Sequence, residues 1–273
     1  MSYQCPLCQK ALIQQTHSWQ CSNHHQFDIA KEGYVNLLPA HHKNSKNPGD
    51  NKEMMQARRL FLGSGHYSPL KAALLSQLDN KLTPDATSLL DIGCGEGYYT
   101  TSMTELAKHR DDFAVFGLDI SKVAVRYAAK RYPACSFSVA SSHRLPFADH
   151  TLDAIIKIYA PCKSTELLRT LKQDGLLVTV TPAARHLYQL KALIYDDVLL
   201  HDPEVEQLPG FELIDREDIH YMMSLEPTMA TALLQMTPFA WRAKKSTWAT
   251  LEQSTHFDCE AHFCIRFYRP ALT

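Results

Sequence analysis

The sequence predicts an α/β fold, a doubly wound parallel sheet preceded by a small cysteine-rich head. Three observations predict it. Strand-like and helical runs alternate between residue 87 and about residue 200. A turn opened by an acid and carrying three glycines, Asp91-Ile92-Gly93-Cys94-Gly95-Glu96-Gly97, follows the apolar pair Leu89-Leu90. Three of the eight cysteines fall within the first 21 residues. At 273 residues the chain has room for one large α/β domain and a small module. The expected division is a head over 1–38, a linker with entry helices over 39–86, and the main domain over 87–273.

The formal net charge is −1, so the whole molecule is no polycation and any nucleic-acid contact must come from local patches. No apolar run approaches the roughly 20 residues that span a membrane. Residues 1–10 lack the charged-then-apolar pattern of an export signal. A cytoplasmic location is expected, and there clustered cysteines are more often metal ligands than disulfides.

In the head, Cys5-Pro6-Leu7-Cys8 is followed after twelve residues by Cys21-Ser22-Asn23-His24-His25, a C-x2-C-x12-C-x3-H pattern. Two close ligands on one turn, a hairpin, and two more on a second turn suit tetrahedral Zn²⁺. The expected ligands are Cys5, Cys8, Cys21 and His25. His24 would give a gap of two and is expected to be exposed. Four protein ligands leave no open position, so one structural ion is expected. It would supply much of the folding energy of so small a segment, around Trp19 and Phe27. The alternative, a redox Cys-x-x-Cys, would normally precede a helix in a βαβ unit, and no such unit is visible here.

Residues 39–50 are polar and turn-rich and read as a connection. Between Pro39 and Arg59, the cations Lys43, Lys46, Lys52, Arg58 and Arg59 outnumber Asp50 and Glu53. Such a stretch is either a solvated linker or an arm for phosphates. Asp50 and Glu53 can open a helix through Phe61, ended by Gly63-Ser64-Gly65. Ser68 as N-cap and Pro69 as first helical residue open the next, with Leu70, Ala73, Leu74 and Leu78 as its apolar stripe. Tyr67, on the turn between, is either a core aromatic or a residue leaning over a ligand.

In the main domain, strand one is expected over 88–91 and its crossover helix over 98–108. Strand two follows over 113–119, with Ser121 capping a helix that runs to Arg131. Strand three is expected over 137–140, strand four over 153–159 with a helix around 165–171, and strand five over 176–181 with a helix from about Arg185. In such sheets ligands bind outside the carboxyl ends of the strands. The dinucleotide fingerprint G-x-G-x-x-G would need glycine at 98, where Tyr98 stands. The spacing D-x-G-x-G-x-G resembles instead motif I of the class I (Rossmann-like) methyltransferases, which bind S-adenosylmethionine (SAM). SAM has no pyrophosphate to cradle, so its turn need only admit the methionine part and the ribose. Asp119, ending strand two, can accept both ribose hydroxyls, or it can cap the next helix. Ala140-Ser141-Ser142 ends strand three, where such an enzyme holds adenine, though Ser141 could serve only to turn the chain. Ile158-Tyr159-Ala160-Pro161-Cys162 ends strand four, where the methyl acceptor sits, and Arg185 and His186 follow strand five. Near the end, 236–241 reads as a packed helix start and 262–268 as the last strand of a closing antiparallel hairpin. The apolar residues there, with Cys259 and Cys264, read as core.

The head pattern, residues 27–38, Met54-Met55-Gln56-Ala57-Arg58-Arg59 and residues 91–99 together resemble the RlmA family of 23S rRNA guanine-N1 methyltransferases. Residues 140–147, 158–162 and 234–242 extend the resemblance over essentially the whole chain. It implies SAM-dependent methylation of guanine N1 in a hairpin loop of 23S rRNA, a zinc module that helps to grip the RNA, and a homodimer. It carries the zinc ligands to Cys5, Cys8, Cys21 and His25. It carries the SAM contacts to Tyr67, Gly95, Glu96 and His186, with Asp119 expected on the ribose. The closer match is to the group typical of Gram-negative bacteria, which implies guanine 745 as the target.

The sulfonium of SAM is already a strong electrophile, so such an enzyme has mainly to align nitrogen and methyl. Guanine N1 carries a proton that must leave by a base or a water path, and no carboxylate in the sequence declares itself as that base. A loop base can be splayed out and stacked on an aromatic ring. Tyr159 is the candidate ring, and a tyrosine that merely packs at a strand end is the alternative. Two rival classes are a small-molecule methyltransferase, against which the basic linker argues, and a non-catalytic RNA binder, against which the intact 91–97 turn and Asp119 argue.

Overall fold

The structure, a computed structural model, describes residues 3–39, 51–201 and 206–271. The linker positions His41, His42, Lys43, Lys46 and Asp50 lie outside the described residues.

The head is a three-stranded antiparallel sheet of β1 (Leu12–Gln14), β2 (Ser18–Cys21) and β3 (Gln26–Asp28), in which Trp19 stands opposite Phe27. After β4 (Val35–Asn36) come two helices, α1 (Lys52–Gly63) and α2 (Ser68–Lys81). Asn51 caps α1 by accepting the Met54 N–H. Ser68 does not cap α2. The turn closed by Ser68 N–H on the Gly65 carbonyl runs straight into the helix, so Tyr67 takes the cap position and Ser68 is already helical.

The main sheet contains β5 (Ser88–Ile92), β6 (Ala114–Asp119), β7 (Ser136–Val139), β8 (Leu152–Ile158), β9 (Leu171–Pro182), β10 (Phe211–Leu225) and β11 (Phe257–Pro270). Its order is β10-β11-β9-β8-β5-β6-β7-β4. β11 is antiparallel to both its neighbours and every other pairing is parallel, so the closing hairpin is present. The strand order reverses between β5 and β8, which is where a ligand crevice opens in such sheets. The remaining helices are α3 (Lys122–Arg131), capped by Ser121, then α4 (Ser164–Thr170), α5 (Tyr188–Ala192), α6 (Pro227–Gln235) and α7 (Lys245–Gln253). The crossover after the glycine turn is a 3-10 helix over Thr100–His109, not the expected α-helix. Its early hydroxyls explain the tightening. Ser102 and Thr104 donate to the carbonyls of Tyr99 and Thr101, three residues back.

Alternate strand residues feed two cores. Leu89, Val115, Phe137, Ile156 and Val178 face the layer that holds Phe61, Leu74, Val125, Leu233 and Leu251. Leu90, Phe116, Ile155 and Leu177 face the other way, onto Tyr3, Leu12, Cys21 and Leu37 of the head and Leu167 of α4. The head therefore covers part of the second face. Tyr3, 2% exposed, meets the rings of Trp19, Phe116 and Phe147 at 5.1, 5.6 and 5.4 Å. β4, which the expected division puts in the head, is the edge strand of the main sheet beside β7. Among the described residues no helix is long and apolar enough to cross a membrane.

Candidate functional site

The metal site is assembled by two tight turns. The first is closed by Gln9 N–H on the Cys5 carbonyl, the second by His24 N–H on the Cys21 carbonyl. His24 is left-handed, at φ 59°, and exposed; the reversal there brings His25, not His24, to the cysteines. Cys5 Sγ and Cys21 Sγ each lie 3.5 Å from His25 Nδ1, and Cys8 Sγ lies 3.6 Å from Cys21 Sγ. All four donor atoms fall within 4.8 Å of one another. Zinc–sulfur bonds of about 2.3 Å and a zinc–nitrogen bond of about 2.0 Å at tetrahedral angles put donors roughly 3.5–3.8 Å apart. The donor set fits one tetrahedral zinc.

At the carboxyl edge of the sheet, the chain leaves β5 through Gly93, Gly95 and Gly97, at φ of 73°, 54° and 80°. A Cβ on Gly93 would sit 2.7 Å from that of Ala160, whereas a Cβ on Gly95 would meet nothing within 4 Å. The backbone at Gly95 is thus bare and open, a cradle that SAM fits. Just inside the sheet, Asp91 accepts the Thr100 hydroxyl at 2.6 Å, and burial pushes its carboxyl up to about 7. Asp119 accepts Gly95 N–H at 3.0 Å on one oxygen and Ser121 N–H at 2.7 Å on the other. It therefore steadies both the glycine turn and the start of α3. Ser141 accepts His143 N–H at 3.2 Å, as the turn-making alternative has it.

Glu96 is clamped by Arg59 of α1, which donates from two guanidinium nitrogens at 2.6 Å each and lies 4.3 Å over the Tyr127 ring. Arg59, read in the sequence as part of a basic strip, is thus neutralised by the site itself. The third group is aromatic. Tyr67 is buried, edge-on to Phe61 and Phe263 at 5.1 and 4.9 Å, with its ring 6.3 Å from that of His186. His186 is 7% exposed and its Nδ1 accepts His262 N–H at 3.2 Å. Burial, with His201 and Lys191 nearby, pulls its pKa down to about 3. The ring is neutral, so its proton sits on Nε2, a donor. Tyr159, 50% exposed, lies 6.3 Å from His186. Its φ of 57° is left-handed, a conformation that costs a side-chain-bearing residue about 1–2 kcal/mol.

The structure thus gathers Gly95 with Asp119, Glu96 with Arg59, and Tyr67 with His186 and Tyr159, all at the carboxyl ends of β5, β6, β8 and β9 and the turn before α2. Two features escaped the sequence reading, the pairing of Arg59 with Glu96 and the role of Glu260. Glu260 takes Arg185 at 2.6–3.0 Å, Gln189 at 2.8 Å and His220 at 2.7 Å, and the Arg185 guanidinium first among these holds its carboxyl down to about 2. This network pins the loop that carries His186 against β11. Nothing local marks a pair 75 residues apart in sequence.

A parallel sheet closed by an antiparallel strand, a glycine elbow at its switch point and an acid after the second strand define a SAM-dependent methyltransferase, here with a zinc-binding head. Residues 3–46 match the family model for the RlmA N-terminal zinc ribbon, and residues 84–225 match a methyltransferase-domain model. The 23S rRNA (guanine(748)-N(1))-methyltransferase of Streptomyces fradiae is 33% identical over 243 residues, which cover 87% of this chain and 85% of that one. A candidate 23S rRNA (guanine-N(1)-)-methyltransferase of Bacillus subtilis (strain 168), YxjB, is 29% identical over 265 residues, 94% of this chain and 93% of that one. The chain belongs to the RlmA family of methyltransferases. Among solved structures, a SAM-dependent methyltransferase from Thiobacillus denitrificans in complex with S-adenosyl-L-homocysteine is 16% identical, over 82% of this chain and 100% of that one, at a TM-score of 0.45. The assignment rests on the sheet order and the family matches, not on that likeness.

Proposed function

We propose that the chain transfers the methyl group of SAM to N1 of guanine 745 in a hairpin loop of 23S rRNA, acting in the cytoplasm as a homodimer. The observation that carries this reading is the 33% identity, over most of both chains, to a protein named for guanine-N1 methylation of 23S rRNA. The strand-end groups support it.

When bound, SAM supplies an electrophilic methyl group. Gly95 leaves open backbone for it, Asp119 would accept its ribose hydroxyls, and Glu96 is held at the same turn by Arg59. Tyr67 and His186, the latter with its Nε2–H, would line the same site. On the acceptor side, Tyr159 presents a half-exposed ring for the splayed guanine to stack upon, so that N1 is aligned rather than activated. His186 is no base for the N1 proton, because its Nδ1 lone pair is engaged and burial holds its pKa far below neutrality. Cys5, Cys8, Cys21 and His25 hold one structural zinc.

Guanine 745 rather than 748 follows from the closer motif resemblance to the Gram-negative group, although the Streptomyces relative is named for 748. Labelled SAM and 23S rRNA from a strain lacking the gene test the proposal. N1-methylation blocks the Watson–Crick edge, so reverse transcriptase is expected to stop at guanine 745. A stop at 748 would overturn the position, and label in a small molecule with the RNA unlabelled would overturn the substrate class.

A further inference from the structure

The sequence places Trp241 in a packed helix start, but the structure puts it outside. Pro238–Trp241 is a 3-10 turn, and the indole is 75% exposed. Phe239 provides the anchor instead, with its ring 6.3 Å from Tyr195 and Lys191 Nζ 5.9 Å above it. Arg242 follows, with its guanidinium 5.9 Å from the same Tyr195 ring. One exposed apolar residue is ordinary. What surrounds this one is not. Residues 227–251 contain no acid, yet include Arg242, Lys244 and Lys245, all exposed, in a chain whose net charge is −1.

The turn is braced by two elements that carry site residues. Arg58 of α1 donates to the Met236 carbonyl at 3.1 Å, and its neighbour Arg59 holds Glu96. Lys191 and Tyr195 belong to α5 and its exit, and α5 begins just after His186. The turn that carries the indole is thus tied through Met236 to α1 and through Phe239 to α5, and both helices lead to site residues.

We propose that Trp241, with Arg242, Lys244 and Lys245, is a stacking platform for an unpaired base of the RNA other than the one that is methylated. It rests on the reading of the substrate as an RNA loop. An exposed aromatic face takes any base, and neighbouring cations take the phosphates on either side. The local charge is complementary to RNA and to no acid-poor partner.

The test uses the full-length, zinc-loaded protein, with single-stranded oligouridylate and a transcript of the 23S hairpin as probes. Trp241→Ala is expected to weaken binding of both RNAs about 5- to 100-fold, and Trp241→Phe to restore most of it. Binding of S-adenosylhomocysteine and zinc content, which report the fold, are expected to be unchanged. RNA is expected to quench indole emission in the wild type, and Trp241→Phe to remove that quench although Trp19 and Trp248 remain. Replacing Arg242, Lys244 and Lys245 by Gln is expected to reduce the slope of log affinity against log salt by about 2. Unchanged RNA affinity in Trp241→Ala with normal cofactor binding would overturn the platform. So would loss of a dimer at unchanged RNA affinity, which would put the indole in a subunit interface. The two proposals fail separately. Quenching by oligouridylate without methyl transfer to 23S rRNA sinks the substrate assignment alone, and transfer without quenching sinks the platform alone.

Discussion

Burial leaves His186 neutral, and that has a consequence for acid stability. Its pKa is about 3 in the folded chain, against about 6.5 for an unfolded histidine. Between those values the unfolded chain binds the extra proton, so this contribution to stability is present above about pH 6.5 and is lost as the pH falls toward 3. His186→Gln, which keeps a donor, is expected to flatten the loss of melting temperature between pH 7 and pH 4. An unaltered acid limb would show that His186 is not buried neutral. Tyr159→Ala is expected to keep the affinity for S-adenosylhomocysteine and to lose turnover; near-wild-type turnover would reject the stacking role. The positions of Asp119, Tyr159 and His186 at or just past strand ends were legible in the sequence, because alternating strands and helices locate those ends. The Arg59–Glu96 and Arg185–Glu260 pairs were not, since each joins distant elements. The exposure of Trp241 was hidden because its neighbours Pro238 and Phe239 carry the same apolar signature as core, and only the turn's orientation separates them.

The glycine elbow divides its labour between two positions. Gly93→Ala combines a left-handed φ of 73° with a Cβ 2.7 Å from Ala160 Cβ, and is expected to cost about 1–3 kcal/mol of stability. Gly95→Ala meets no neighbour within 4 Å; its methyl is expected to fall in the space left for SAM and to weaken cofactor binding more than it weakens the fold. Urea denaturation and cofactor titration of both variants check the contrast, and equal effects on both readouts would remove it. The elbow was readable because acid and glycine spacing is a local signal. The 3-10 character of the following helix was not, because helical periodicity does not tell three residues per turn from 3.6 over one short run. β4 escaped as well; two residues form a strand only because β7 lies alongside.

At the scale of the molecule, the head is a covering layer rather than an appendage. Tyr3 and Leu12 share a core with Phe116, Phe147 and Leu90, partners that no window of sequence brings together. Spacing made the three cysteines legible and left the fourth ligand between His24 and His25, which the turn at His24 decides; the docking was not legible. Chelation of zinc, or Cys8→Ala, is expected to lower the melting of the main domain together with that of the head, in one transition followed by calorimetry. A main-domain transition left untouched would mean that the head is energetically separate. Calorimetric titration of S-adenosylhomocysteine into the zinc-loaded chain tests the cofactor site most directly. One site per chain is predicted, weakened by Asp119→Asn by more than the fold is, since the amide keeps only one of the two backbone contacts to Gly95 and Ser121. No heat of binding, or a site indifferent to that substitution, would contradict it.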